Sequence, residues 1–379
     1  MIYFDNAATT PVSLSAQQTI QYYNTVKFFN PSARYNVAGD VFMDIKQARE
    51  QMANLIGADD SSEIYYMSSG SESDNFVLKG AIRSKKDRLI ISATEHPAVY
   101  NTAIYLKNKG YDVQIADVNK DGSVNIDSLS SLISPDTRLV SIMHVNNETG
   151  AINDLKCIVE IVKSKCPQAL VHSDGVQAFG KIKVDVSKLG VDIYTIGGHK
   201  IHAPKGIALT YIKRGVNLNP LIHGGGQESG VRSSTENVSG IMALSICAQE
   251  IVANIDKNTA NINQIRQYIC DEFVKNIPDL HINQGDNYVP HILSISIPSI
   301  RGEVLVHCLE TEGIYISTGS ACSTKKGISR IPKAIGLSKQ LAEGTIRLSF
   351  SGENTLQEAQ EFCDRAINYV KQLGDFRRK

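Results

Sequence analysis

The sequence lacks the marks of several large protein classes. Its 39 basic and 39 acidic side chains cancel, so no summed field draws it to nucleic acid or to an anionic membrane. No apolar run is long enough to span a bilayer. The opening MIYFDNAATT puts Asp5 where a secretory leader needs a basic and then an apolar stretch. Seven cysteines, at 157, 166, 247, 270, 308, 322 and 363, form no CxxC pair and no other close metal-ligand spacing. There is no internal repeat and no low-complexity tract. The expectation is therefore a cytoplasmic protein in a reducing compartment, with a small-molecule substrate and no direct nucleic-acid or membrane partner.

What is present is ordinary globular material. With 379 residues, 42% hydrophobic and 21% charged, the chain has apolar content for one large core and one smaller core. From about Glu63 to Ile212, short β-rich runs (64–66, 89–91, 113–115, 139–142, 170–172, 193–195) alternate with helical spacing, as in Phe76, Val77, Gly80 and Ala81, or Leu155, Ile158, Val159 and Val162. That rhythm predicts an α/β fold with a mostly parallel sheet sandwiched by helices. Helix starts are marked at Ser73-Asp74 and at Pro97. After Cys247 one long helical stretch is expected through Ile269. Beyond it, 292–297, 314–316 and 345–350 alternate with period two, which predicts a smaller α+β layer with one solvated face. The domain expectation is 15–255 for the large unit, and 1–14 with 256–379 for the small one.

Chemistry gathers at a few places. Thr195-Ile196-Gly197-Gly198-His199-Lys200 ends a β-run just before a lysine, the position where open α/β sheets bind ligands. A desolvated amine there can form a Schiff base, although a solvated loop lysine has the same local sequence. Ser68 to Ser73 follows a strand and opens a helix. Gly70 and Ser71 can therefore offer amides to a phosphate, or serve only as a helix cap. Asp174 ends another strand, fit to protonate a pyridine nitrogen or to cap a helix. His96, in Thr94-Glu95-His96-Pro97, is an imidazole at a strand end. Most of the cysteines lie in apolar context and read as small hydrophobes. Cys322 differs, because Gly319, Ser320, Ala321, Ser323 and Thr324 around it are loop residues. His199, His202 and His223 lack a completing carboxylate or thiol, and no metal is expected.

Taken in order, Asp5 to Thr10, Ser71 to Asn75, Thr94 to His96, Val145 to Glu148, His199-Lys200, His223 to Glu228 and Gly319 to Cys322 resemble a cysteine desulfurase. That family belongs to the class V aminotransferase group of fold type I pyridoxal-phosphate enzymes and is usually homodimeric. The resemblance implies pyridoxal 5'-phosphate held by Lys200, with His96 stacked on its ring and Asp174 on its nitrogen. It places Asn147 and Gln177 near the ring oxygen and the substrate. The phosphate falls to Gly70, Ser71 and His199, with Thr235 reaching over from the other subunit. Arg347 grips the carboxylate of L-cysteine. Cys322 attacks the substrate sulfur and Lys200 moves the α-proton, with His96 or Lys200 returning protons. Alanine leaves, and the persulfide passes to an acceptor protein for iron–sulfur cluster assembly, tRNA thiolation or cofactor biosynthesis. A selenocysteine lyase or another class V aminotransferase is the alternative.

Two departures stand out. Gly197 occupies a position where the family often has a hydroxyl residue, so one phosphate hydrogen bond is expected to be missing. The chain also ends soon after its last helix, at Phe376-Arg377-Arg378-Lys379, which puts scaffold docking by a longer tail in doubt.

Overall fold

The computed structural model describes residues 1–319 and 329–377. A two-residue strand, β1 (Ile2–Tyr3), opens the chain. The central sheet is formed by β2 (Ile64–Met67), β3 (Arg88–Ser92), β4 (Asp112–Ala116), β5 (Thr137–Ser141), β6 (Leu170–Asp174), β7 (Ile193–Gly197) and β8 (Ala208–Ile212). Its spatial order is β2-β8-β7-β6-β5-β3-β4. Every pairing is parallel except the two made by β8, which runs against both β2 and β7. Strand β8 has the sequence ALTYI, is fully buried, and was not marked by period-two spacing.

Helices cover both faces. On one side Val41, Ile45, Met52 and Ile56 from the helix Asn36–Ile56 pack with Ile90, Val140, Val171 and Ile196 of the sheet. On the other, Phe76, Val77 and Val99 pack with Leu89, Leu139 and Ile193. A separate core joins Ile262, Ile269 and Phe273 to Leu293, Ile295, Ile346 and Leu348. Ile2 and Phe4 from the chain's start enter this core, and Phe362 lies between Phe4 and Phe273 with ring centroids 5.6 Å away from each.

The smaller sheet contains β9 (His281–Ile282), β10 (Ile292–Ser296) and, after the short β11 (Ile314–Tyr315) that pairs with β1, the last strand β12 (Thr345–Ser349). Three expectations need correction here. The polar face of β10 and β12 is not solvated: Ser294, Ser296, Thr345 and Arg347 are all buried. Hydrogen bonds replace water, from Asn283 Nδ2 to Ser294 Oγ (3.1 Å) and between Ser296 Oγ and Thr345 Oγ1 (2.8 Å). The long helical stretch is two helices, Val238–Ala253 and Ile255–Asn276, bent by 68° at Asn254. Ile251 and its neighbours serve the large core while Ile262 onward serve the small one, so a straight helix could not satisfy both. The helix placed at Ser73 starts at Gly70, capped by Ser69 Oγ on the Glu72 amide. Among the described residues no single helix is long and apolar enough to cross a membrane.

Candidate active site

The carboxyl ends of the parallel strands deliver the chemistry to one place. Asp174 is the last residue of β6; Lys200 follows β7 after a single 3₁₀ turn, Gly198–Lys200; His96 caps the helix Pro97–Asn108 that follows β3; Gly70 starts the helix after β2. Together with Ser71, Asn147, Gln177, His199 and Arg347 these residues line a cavity of about 420 Å³. Ligands collect at such strand ends because the loops diverge there and leave a crevice. A hollow of about 470 Å³ elsewhere, beside Phe42, Arg49, Tyr65 and Glu228, holds no such set of groups.

The N-terminal segment forms one wall. Lys200 Nζ donates to the carbonyls of Ala7 (2.5 Å) and Ala8 (2.6 Å), and Gln177 Nε2 donates to Ala7 (2.9 Å). His199 Nδ1 meets Thr9 Oγ1 at 3.2 Å. Burial, with Arg347 adding to it, lowers the Lys200 amine to about 8 despite the opposing carboxylates of Asp5 and Asp174. His199 is lowered to about 4, first by burial and then by Lys200. Burial also lowers His96, which Asp174 partly offsets and Lys200 and Arg330 reinforce.

Two carboxyl groups face each other at the cavity floor. Asp74, His96 and Asp174 each bring a ligand atom within 4.8 Å of the others, a grouping that the expectation of no metal did not foresee. Burial raises both acids, and Asp174 raises Asp74 further. Asp174 is the better placed of the two to carry charge, because its Oδ1 accepts the Val176 amide (2.9 Å) and His96 and Lys200 oppose its rise. Asp74 is held well above the usual carboxylate range by burial and by Asp174: its Oδ1 is buried without a hydrogen-bond partner, 3.8 Å from a His172 ring that burial lowers to about 3.

The donor set fits pyridoxal phosphate. A helix starting at Gly70 leaves its first amides free for an anion. Asn147 Oδ1 is buried without a protein partner on the cavity wall, available to a ring substituent. A charged Asp174 beside a neutral His96 suits a protonated ring nitrogen under a stacked imidazole. A Cβ on Gly70 would come within 3.0 Å of Val176 Cγ2, so the backbone reaches the cavity only because no side chain is present there.

Some residues stand apart from this set. Thr235 is exposed and does not line the cavity of its own chain. Cys322 lies outside the described residues; Gly319, three positions earlier, is held by its amide on Ser317 Oγ (3.0 Å), and Ser317 pairs with Arg347 across an isolated bridge. Arg347 is not free: Nη2 pairs with Asp5 Oδ1 (2.8 Å), Nη1 donates to the Asn147 carbonyl (2.8 Å), and Nε is buried without a partner. Gly197 has a packing reason, since a Cβ there would meet Val176 Cγ1 at 3.1 Å and Cγ2 at 3.3 Å. The roles of Asp5, Asp74 and Arg330 were missed. Asp5 and Asp74 sit inside motifs already noted, but nothing local marks an acid that will be buried beside another charge.

This fold and site define a pyridoxal-phosphate-type α/β enzyme. The chain belongs to the aminotransferase class-V family, whose model matches residues 2–362. It is similar to a cysteine desulfurase IscS of Methanosarcina thermophila, 37% identical over 98% of this chain and 91% of the relative. Among solved structures it resembles a NifS-like protein, with 34% identity, a TM-score of 0.92, and coverage of 98% and 99% of the two chains. It also resembles SspA solved in complex with cysteine, with 31% identity, a TM-score of 0.82, and coverage of 92% and 99%.

Proposed function

We propose that the chain is a cytoplasmic cysteine desulfurase that converts L-cysteine to L-alanine and leaves the sulfur as a persulfide on Cys322. The observation that carries this reading is the meeting of Lys200, Asp174, His96 and Arg347 around one cavity, in a chain whose relatives are cysteine desulfurases. Pyridoxal phosphate held there supplies the electron sink that makes the substrate's Cα proton acidic. Gly70, Ser71 and His199 hold its phosphate, Asp174 its ring nitrogen, and Asn147 with Gln177 its ring oxygen. Arg347 takes the substrate carboxylate, exchanging its contact with Asp5 for the incoming anion.

Lys200, whose amine titrates near 8, removes the Cα proton. The Cys322 thiolate then attacks the substrate sulfur: an S–S bond forms, the C–S bond breaks, and its electron pair stays on Cβ. Lys200 or His96 returns protons to the carbon skeleton, which leaves as alanine. An acceptor protein, a cluster scaffold or a thiolation enzyme, draws the outer sulfur from Cys322.

The active unit is a homodimer in which Thr235 of a second copy completes the phosphate site. Phe28, Tyr35, Phe42 and Met43 support this, each more than half exposed on one stretch of chain. The proposed domain division is 15–255 against 1–14 with 256–379, in keeping with the separate cores. The deciding experiment is alanine release from L-cysteine with reductant, comparing the native protein with Cys322→Ala. Activity lost while the cofactor absorbance stays supports the reading. Equal activity of the two moves the assignment to a selenocysteine lyase or another aminotransferase of the family.

A further inference from the structure

Arg330 begins the short helix Arg330–Ala334 and sends its guanidinium across to the large sheet. There Nη1 donates to the carbonyl of Ala93, and Nη2 donates to the carbonyl of Glu95 at 2.5 Å. The guanidinium lies over the ring of Tyr100, 4.0 Å from its centroid. Ala93 to Glu95 is the turn between β3 and the His96-capped helix, and Tyr100 is the first residue of that helix's second turn. One side chain therefore holds both ends of the structure that presents the imidazole.

His96 has little else to fix it. Its Nδ1 accepts the Ala98 amide at 3.2 Å, a contact within its own helix turn. The carboxyl of neighbouring Glu95 points the other way, to Ser92 Oγ (2.6 Å) and the Met143 amide (3.0 Å). The ring's place over the cavity thus follows the turn, whose Ala93 and Glu95 carbonyls Arg330 grips while Asn146 Nδ2 holds the Thr94 carbonyl between them (3.1 Å).

We propose that Arg330 is a positioning residue for His96, fastening the turn that aims the imidazole and adding its positive charge to the surroundings of the ring. It acts through His96 and does not line the cavity. The titratable groups facing His96 are Asp74 and Asp174 at the cavity floor, Lys200 after β7, His199 before it, Glu95 in the turn and Arg330 itself. Burial lowers the ring first, Asp174 opposes this, and Lys200 and Arg330 add to it. Removing the guanidinium therefore favours the charged ring, and the proton is then held to a higher pH.

The cofactor part of this proposal rests on the functional reading above; the titration part does not. Both are tested on the full chain as purified, with histidine rings isotope-labelled and His96 assigned by its absence in His96→Gln. In Arg330→Gln the His96 midpoint rises by about half a pH unit or more, and affinity for pyridoxal phosphate, read by its absorbance, falls ~tenfold as the ring loses its aim. Arg330→Lys keeps the charge and loses the fork, so its midpoint stays near native while affinity still falls. An unmoved midpoint in Arg330→Gln overturns the charge role. Native affinity in Arg330→Lys overturns the fastening role, and this variant carries that test even if Arg330→Gln does not fold. A native protein that takes up no cofactor sinks the functional reading alone, since the midpoint comparison still decides the charge role.

Discussion

Gly197→Ser places a side chain where the family pattern often has a hydroxyl and where this chain has no room for one. The new Cβ would meet Val176 at 3.1 and 3.3 Å, inside ordinary contact distance, and Val176 already stands 3.0 Å from the position of a Cβ on Gly70. The isopropyl group therefore cannot retreat toward Gly70 without touching backbone. A clash of a few tenths of an ångström on both methyls belongs at the lower end of overpacking costs, about 1–2 kcal/mol. In a chain of this size that is a fall in melting temperature of about 1–3 °C. Val176→Ala removes both offending methyls. In that background Gly197→Ser is expected to cost less than about 0.5 kcal/mol, a coupling of the size that contacting residues show. The assay is a double-mutant cycle by thermal melting of the four proteins at one concentration. Native stability for Gly197→Ser refutes the reasoning, as does a penalty of equal size with and without Val176.

Three further outcomes follow from the geometry. Asp174→Asn removes a charged partner for the ring nitrogen, and pyridoxal phosphate titrated by absorbance is expected to bind ten- to a hundredfold more weakly, about 1.5–3 kcal/mol; unchanged affinity refutes the assignment. Lys200 titrates near 8 and reacts only as the neutral amine, so cofactor uptake by stripped protein is expected to rise about tenfold per pH unit below 8 and level off above it. A rate that falls through this range would count against the Lys200 role. Phe362→Ala empties a fully buried position between Phe4 and Phe273, and denaturant unfolding is expected to show a loss of about 3–5 kcal/mol. A loss under about 1 kcal/mol would mean that this core does not hold the chain's start.

Much of the fold was legible because its signals are local. Leu89-Ile90-Ile91 and Leu139-Val140 are buried on both faces, so their apolar runs announce strands without any knowledge of neighbours. Pro97 marked a helix start because its fixed φ suits the first turn. Ser294, Ser296 and Arg347 misled, since alternation reports which residues are polar and not whether water reaches them; Asn283 and Thr345 take water's place. Asn254 gave no sign of the 68° bend, because the bend answers to two cores that the helices must reach.

By itself the sequence determined the alternation that makes a mostly parallel sheet, and the ordered motifs that put Lys200, Asp174, His96 and Arg347 in one kind of enzyme. Side-chain period is enough for the first; the second rests on the resemblance of the ordered motifs to a known family. The tertiary structure alone decided which charges meet: Asp5 on Arg347, Asp74 beside Asp174, Arg330 on the turn before His96. It also decided why position 197 is glycine, through Val176. These contacts join residues far apart in the chain, and their energies arise from burial and distance, which exist only once the strands have brought their ends together.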